Sequence, residues 1–422
     1  MPPLLYLVHR IPFPPNKGDK VRSYHLLQYL RQHYRVFLGA FVDDPADWQH
    51  AERVRALCED AYLAPLDPRR AKLRSLQAFA SGAPLSVPYY RDAGFQRWVT
   101  NVVQRRQIDT ALVFSSPMAQ YVSGFDRMRR VADFVDVDSA KWSQYATTKR
   151  WPMSWVYRRE GRTLLAFERS VARQLDATVF VSPAEAALFR SLAPECADRT
   201  HHAENGVDTE YFCPDGGGES PYPAGTRAVV FTGAMDYWPN VDAVRWFAAE
   251  VWPGLQARYP GTAFYIVGAR PTPAVTALGD LPGVVVTGTV PDIRPYLAHA
   301  AVSVAPLRIA RGIQNKVLEA MAMARPVVAA PGAFEGIEAT PGSELLVAAG
   351  AVPFAEAVGT VLDGGLPDMG RLARERVLVR YSWRTCGNRI ARLLRGMRLL
   401  QGQESASDAG GLARERSGGS AP

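Results

Sequence analysis

Leu307–Ala330 reads LRIARGIQNKVLEAMAMARPVVAA. Arg308 and Arg311 precede Gly312 in a short loop, and an apolar stretch at helical spacing follows, with Lys316 at its start and Glu319 near its middle. Beyond it, PVVAA (Pro326–Ala330) has the unbroken apolar character of a buried strand, as does AVSVAP (Ala301–Pro306) upstream. Strand, basic loop, helix and strand make one βαβ unit. In open α/β sheets ligands bind at the carboxyl ends of strands, and the loop after Pro306 lies at such an end. The start of the helix offers free backbone N–H groups and a partial positive charge. Arg308, Arg311 and Lys316 add formal charge, and Gly312 permits a close backbone approach. The combination suits a diphosphate. Glu319, three residues after Lys316, shares roughly one helical face with it. Its carboxylate can accept hydrogen bonds from a ribose diol beyond the phosphates, or it can form a surface i,i+3 ion pair with Lys316.

The same alternation runs along the rest of the chain. LLYLVH (Leu4–His9), RVFLGAFV (Arg35–Val42), TALVF (Thr110–Phe114), VADFV (Val131–Val135) and ATVFV (Ala177–Val181) read as strands, with a helix over Val21–Tyr34 between the first two. The Gly/Pro-rich Cys213–Gly225 reads as a linker. After it come AVVFTG (Ala228–Gly233), FYIVG (Phe264–Gly268), VVVTG (Val284–Gly288) and ELLVAA (Glu344–Ala349). The expectation is an α/β protein of two doubly wound parallel-sheet domains: residues 1–212 and 213–380, a helix within 381–401, and a disordered tail over 402–422.

The 422 residues fit two or three domains, and 47% hydrophobic content fills sizeable cores. The net charge of +8 lies mostly in the first half, which fits an acidic partner or ordinary solubility charge. Basic residues are scattered and no recognised nucleic-acid motif is present, so nucleic acid is not an expected partner. Cys58, Cys196, Cys213 and Cys386 show no metal-ligand or CxxC spacing, and reduced thiols are expected. No apolar run reaches the ~18–20 residues of a membrane helix. The N-terminal MPPLLYLVHR places its charge after its apolar run, the wrong order for a signal peptide. These features lead to the expectation of a cytoplasmic protein.

The first half carries its own strand-end loops. HRIPFPPNKGDK (His9–Lys20) leaves the first strand, with Lys17, Lys20 and Arg22 making it basic. Asp19 can orient a hydroxyl or act as N-cap of a helix starting at Lys20. His9 is a hydrogen-bonding candidate or a structural strand-end histidine. DVDSAKW (Asp136–Trp142) places Asp138 and Lys141 at another strand end, and with no third ligand apparent its Asp-x-Asp is not read as a metal clamp. WPMSWVYRREGRTLLAFERSVARQL (Trp151–Leu175) joins Trp151, Trp155 and Tyr157 to Arg158, Arg159 and Arg162. That pattern fits a membrane interface, while Leu164, Leu165 and Phe167 fit packing on the sheet.

KVLEAMAMARPVVAA resembles the donor-site signature of glycosyltransferase family 4, the retaining nucleotide-sugar transferases with the GT-B fold. ENGVD (Glu204–Asp208), VSPAEAALF (Val181–Phe189) and YSWRTCGNRIARLL (Tyr381–Leu394) resemble further family segments in the same order. HRIPFPPNKGDKVRSYHLL, DFVDVDSAKWSQYA and PMSWVYRREGRTLLAFER are similar to the sugar transferases associated with PEP-CTERM/exosortase exopolysaccharide loci. The resemblance implies two Rossmann-like domains facing a cleft, with the last helix packing back on the first. It implies a nucleotide-sugar donor, a saccharide or polyprenyl-linked saccharide acceptor, no cofactor, no essential metal, and peripheral contact with the inner face of the cytoplasmic membrane. Read together with the residues themselves, the candidates for catalysis are Arg311, Lys316, Asp19 and His9. The donor falls to Gly18, Gly233, Arg308, Gly312, Glu319 and Val290, with the loop around Val290 holding the base, and the acceptor side to Asp138 and Lys141.

Two departures stand out. The family's Glu-x7-Glu keeps only its second member, Glu319, since Arg311 occupies the earlier position. TGAMDYWPNVDA (Thr232–Ala243) has Met235 and Asn240 where diphosphate-binding cations are common in the family. Arg311 and Lys316 are the economical replacements. Two other readings stay open: a nucleotide-sugar 2-epimerase-like isomerase, and a non-catalytic nucleotide-sugar or lipid-binding subunit.

Overall fold

The computed structural model describes residues 1–15, 18–148, 150–309 and 313–397. The expected disordered tail, 402–422, lies outside them. The chain divides into two compact units, residues 1–206 together with the segment from Trp383, and residues 207–382. The first boundary falls six residues before the expected one, because ENGVD is shared between the units at Gly206–Val207.

The first unit is built on seven strands: β1 (Pro3–Val8), β2 (Arg35–Val42), β3 (Asp60–Pro65), β4 (Thr110–Phe114), β5 (Arg129–Val135), β6 (Ala177–Phe180) and β7 (Thr200–His202). They pair in the order β3-β2-β1-β4-β5-β6-β7, every pairing parallel. Parallel strands need crossover connections, and the helices that supply them cover both faces. β1 shows this residue by residue. Leu5 and Leu7 enter one apolar cluster, while Leu4, Tyr6 and Val8 enter another on the opposite face. The second cluster also takes Leu26, Leu27 and Leu30 of the Gly18–Leu30 helix and Trp383, Ile390 and Leu394 of the Trp383–Leu394 helix. The final helix therefore packs on the sheet of the first unit.

The second unit holds β8 (Arg227–Thr232), β9 (Thr262–Val267), β10 (Val284–Gly288), β11 (Val302–Ala305), β12 (Val327–Ala329) and β13 (Leu346–Val347). Their order is β10-β9-β8-β11-β12-β13, again all parallel. The strand order reverses between β1 and β4 in the first sheet and between β8 and β11 in the second. These are the topological switch points, beside which an open α/β sheet leaves a crevice at its carboxyl edge.

Buried ion pairs fix the first unit where the sequence shows only basic residues. Lys20 is 1% exposed and donates to Asp47 Oδ2. Arg22, equally buried, donates to Asp133 Oδ2 at 2.7 Å and to Asn205 Oδ1 at 2.9 Å. Both cations belong to the interior, not to the basic loop in which the sequence places them. All four cysteines are free thiols.

Candidate functional site

At the end of β8 the chain passes through Gly233, and at the end of β9 through Gly268. A Cβ on Gly268 would lie 1.7 Å from the Gly233 carbonyl oxygen, so no side chain fits there. A Cβ on Gly233 would stand 2.7 Å from Asn240 Nδ2 and 3.1 Å from Lys316 Nζ. The two glycines let the strand ends approach and keep open the space in front of Lys316.

That space is a pocket of about 550 Å³ at the carboxyl edge of β8, β9 and β10. Gly233, Asn240, Val290, Gln314, Lys316 and Glu319 are among its lining residues. Lys316 and Glu319 come from the Asn315–Ala322 helix, which follows β11 across the switch point. Gln314, at the N-cap, makes no side-chain capping bond, and the first-turn N–H groups of a helix have no intrahelical acceptor. The Val317 and Leu318 N–H groups donate to the Gln314 carbonyl, which leaves those of Asn315 and Lys316, among the described residues, as the donors of this helix start.

Lys316 donates to Asn240 Oδ1, and its ammonium lies 4.5 Å from the centre of the buried Phe231 ring. Asn240 is held in turn, its Nδ2 donating to Ala234 O at 2.8 Å. The asparagine that stands where cations are common thus positions a cation reaching in from the neighbouring helix. Burial pulls the Lys316 ammonium down to about 8, with Glu319 opposing the shift. Burial pushes the Glu319 carboxyl up to about 7, opposed by Lys316. Among the described residues no ion pair joins the two side chains, so the surface-pair reading of Glu319 gives way to a half-buried carboxyl in the pocket lining.

The other expected donor residues divide. Arg311 and Gly312 lie outside the described residues, as does Lys17. Arg308 does not line the pocket; its guanidinium donates to Asp242 at 2.6 and 3.2 Å. Gly18 is in the first unit, as the first residue of the Gly18–Leu30 helix, and an added Cβ there would meet nothing within 4 Å.

The first unit assembles a second group of polar residues at the carboxyl edge of its own sheet. His9 follows β1 and stacks on Phe114, with ring centroids 5.7 Å apart. Its Nε2 lies 3.2 Å from Asp19 Oδ2, and Arg10 Nη1 donates to the same oxygen at 2.6 Å. Burial alone would raise the Asp19 carboxyl, but the His9 hydrogen bond and the Arg10 charge hold it well below the usual carboxylate range. Asp19 lies inside the first helical turn, since the helix begins at Gly18, so the N-cap reading is corrected. After β5, Lys141 donates to Asp136 Oδ2 and stands 3.5 Å from Asp138 Oδ1. Burial raises the Asp138 carboxyl, with Lys141 opposing.

Four residues take roles that the sequence does not show. Arg10 and Asn240 act through partners that only the fold brings near. Ser115, at the end of β4, has φ +75°, and Val135, at the end of β5, has φ +70°. Backbone in this region is costly for residues with a side chain, most of all a β-branched one, and such strain collects at functional edges. Among the described residues the buried Ser115 Oγ and His9 Nδ1 have no hydrogen-bond partner. Among the described residues no group of three or more His, Cys, Asp or Glu is placed to hold a metal ion. No helix among them is long and apolar enough to cross a membrane.

Known structures share this architecture. HepE of Anabaena, solved with UDP, is 16% identical, with 94% of this chain and 100% of that one covered and a TM-score of 0.61. A glycosyltransferase from Rickettsia africae ESF-5 is 12% identical, with 94% and 98% covered and a TM-score of 0.62. Sucrose-phosphate synthase from Thermosynechococcus elongatus is 16% identical, with 94% and 99% covered and a TM-score of 0.59. At such identities the likeness shows the fold, which is of the GT-B class: two Rossmann-like parallel-sheet units in one chain. Residues 226–364 match the family model for glycosyl transferases group 1, a range that includes every residue lining the pocket. The matched domain and the fold together support a glycosyltransferase. No curated protein matches the chain.

Proposed function

We propose that the protein transfers a sugar, with retention of configuration, from a nucleoside diphosphate to a saccharide acceptor carried on a polyprenyl lipid. The pathway we assign it to is exopolysaccharide assembly. The observation that carries the donor reading is the Lys316 ammonium, held by Asn240 in the strand-edge pocket beside Gly233 and Glu319. HepE of Anabaena, of the same fold, has been solved with UDP-glucose. In this reading the diphosphate lies against Lys316 and the open start of the Asn315–Ala322 helix. Glu319 accepts hydrogen bonds from the ribose hydroxyls, and the segment around Val290 borders the base.

As the bond from the anomeric carbon to the diphosphate oxygen breaks, negative charge grows on the leaving group. A fixed ammonium and backbone N–H groups stabilise that charge more than they stabilise the ground state, which lowers the barrier. The acceptor oxygen forms the new glycosidic bond, and its proton passes to a phosphate oxygen of the leaving diphosphate. No essential metal enters this scheme. His9 and Asp19 are read as catalytic groups at the acceptor hydroxyl, with Asp19 held low by His9 and Arg10 and able to accept from it, and Asp138 and Lys141 as acceptor-side contacts. The resemblance to family 4 supports retention, and the resemblance to exosortase-associated transferases supports the acceptor class and the pathway.

Purified protein incubated with labelled UDP- and GDP-sugars and polyprenyl-linked saccharides tests this. The expected result is transfer from one donor class, lowered about thirtyfold to a hundredfold in kcat/KM by Lys316→Ala, the cost of one charge-assisted contact. Turnover unaffected by Lys316→Ala and Arg311→Ala would count against the donor assignment.

A further inference from the structure

One face of the first unit gathers large apolar side chains that the interior does not take. The Pro68–Ser75 helix turns Ala71 and Ser75 inward and leaves Leu73 67% exposed, with Leu76 just beyond it at 57% and Phe79 at 39%. A second segment, distant in sequence, exposes Trp151 at 80%, Met153 at 44% and Trp155 at 48%. The two meet where Phe79 stacks on Trp155, with centroids 6.0 Å apart and rings within 8° of parallel. Arg159 lies 4.7 Å over the Phe79 ring and donates to the carbonyls of Ala78 and Ala83. The buried Glu160 accepts the Leu85 N–H at 2.7 Å. These bonds fix the two segments as one surface.

The charge carried by the two segments themselves has a single sign. Between Asp67 and Asp92 the sequence holds five Lys or Arg and no carboxylate; between Asp138 and Glu160 it holds five more, again with none. Arg69, Arg70, Lys72, Arg150 and Arg158 are exposed. Asp67 sits at the far end of its helix, accepting the Arg69 N–H as N-cap, and Glu160 points inward. Scattered exposed apolar residues are ordinary, but six in two joined segments with a cationic rim are not. Tryptophan settles at the headgroup level of a bilayer, and Lys and Arg beside it meet lipid phosphates.

We infer that this face docks on an anionic lipid bilayer, with Trp151, Trp155 and the leucines entering the headgroup layer and the surrounding cations over lipid phosphates. The inference stands on the first unit alone and is read without donor or acceptor, so it does not depend on the sugar-transfer reading. The test is flotation of the full chain, at low ionic strength, with vesicles of phosphatidylcholine alone or of phosphatidylcholine containing one quarter phosphatidylglycerol. The chain floats with the mixed vesicles and not with the neutral ones. Arg69→Glu with Arg70→Glu, both exposed, lowers partitioning roughly thirtyfold or more, since each such charge is worth about fivefold at a charged surface. Trp151→Ser with Leu73→Ser lowers it with the charge intact, at positions too exposed to be needed for folding. Absence of binding to the mixed vesicles, equal binding to both kinds, or binding unchanged in both variants would overturn the inference. So would a concentration-dependent dimer, seen by light scattering without lipid, that the Trp151→Ser, Leu73→Ser variant dissolves, because a second copy would then cover the face.

Discussion

Lys316 gains its place from a partner 76 residues away, since without the Asn240 carbonyl its ammonium would have no fixed direction. Burial lowers its proton affinity, which makes its charge, and with it diphosphate binding, sensitive to pH near the physiological range. The cation is present below about 8 and is lost as pH rises through that value. Donor kcat/KM is therefore expected to fall on the alkaline side of about pH 8, and Lys316→Arg, whose guanidinium stays charged, removes that limb. An alkaline limb unchanged in Lys316→Arg would show that another group sets it. At this scale the sequence was partly legible. Gly233, Val290, Lys316 and Glu319 meet in one pocket because each lies at the carboxyl end of a strand or in the helix after one, and strand ends are readable from apolar runs. Lys20 and Arg22 were misread because their carboxylate partners, Asp47 and Asp133, lie 27 and 111 residues away. Nothing local distinguishes a paired, buried cation from a free one.

β2 and β4 fall on the expected residues, because both faces of a central parallel strand demand apolar side chains. β10 does so too, although it is a partly exposed edge strand, because its apolar run ends at a glycine that marks the turn. β3 and β7 went unseen. Each is an edge strand with one neighbour; DAYLAP offers only the short run Ala61–Ala64 before a proline, and THH offers none. The first helix begins three residues earlier than its apolar period indicates, since Gly18, Asp19 and Lys20 continue the turn through polar contacts. Packing between two helices also sets a pH dependence. The Ser139 hydroxyl, on the Asp138–Thr148 helix, donates to Glu168 Oε2 of the Met153–Gln174 helix at 2.6 Å. Burial pushes the Glu168 carboxyl up to about 8, against an unfolded value near 4.5. The folded state thus holds a proton that the unfolded chain has lost. The resulting stability is fully present below about pH 4.5 and disappears as pH rises through about 8. Urea titrations between those values should show Glu168→Gln flattening the decline by on the order of 5 kcal/mol. An identical pH slope in the variant would place the proton elsewhere.

Over the whole molecule, the alternation of apolar strands and amphipathic helices broken by Cys213–Gly225 conveyed two parallel-sheet units. It could not convey their strand order, which depends on which crossovers turn left or right along the sheet from β1 and from β8. That order creates the switch points, and at the second one a glycine pair, an asparagine and a lysine from three separate segments enclose a pocket. The account turns on what Lys316 meets there. Calorimetric titration of the full chain with UDP and GDP, with the matching nucleosides as controls, and of Lys316→Ala beside it, addresses this directly. The account predicts that the preferred diphosphate binds the variant about thirtyfold to a hundredfold more weakly, while the nucleoside binds both proteins alike. Equal diphosphate affinity in the two proteins, or an equal loss for nucleoside and diphosphate, would contradict it.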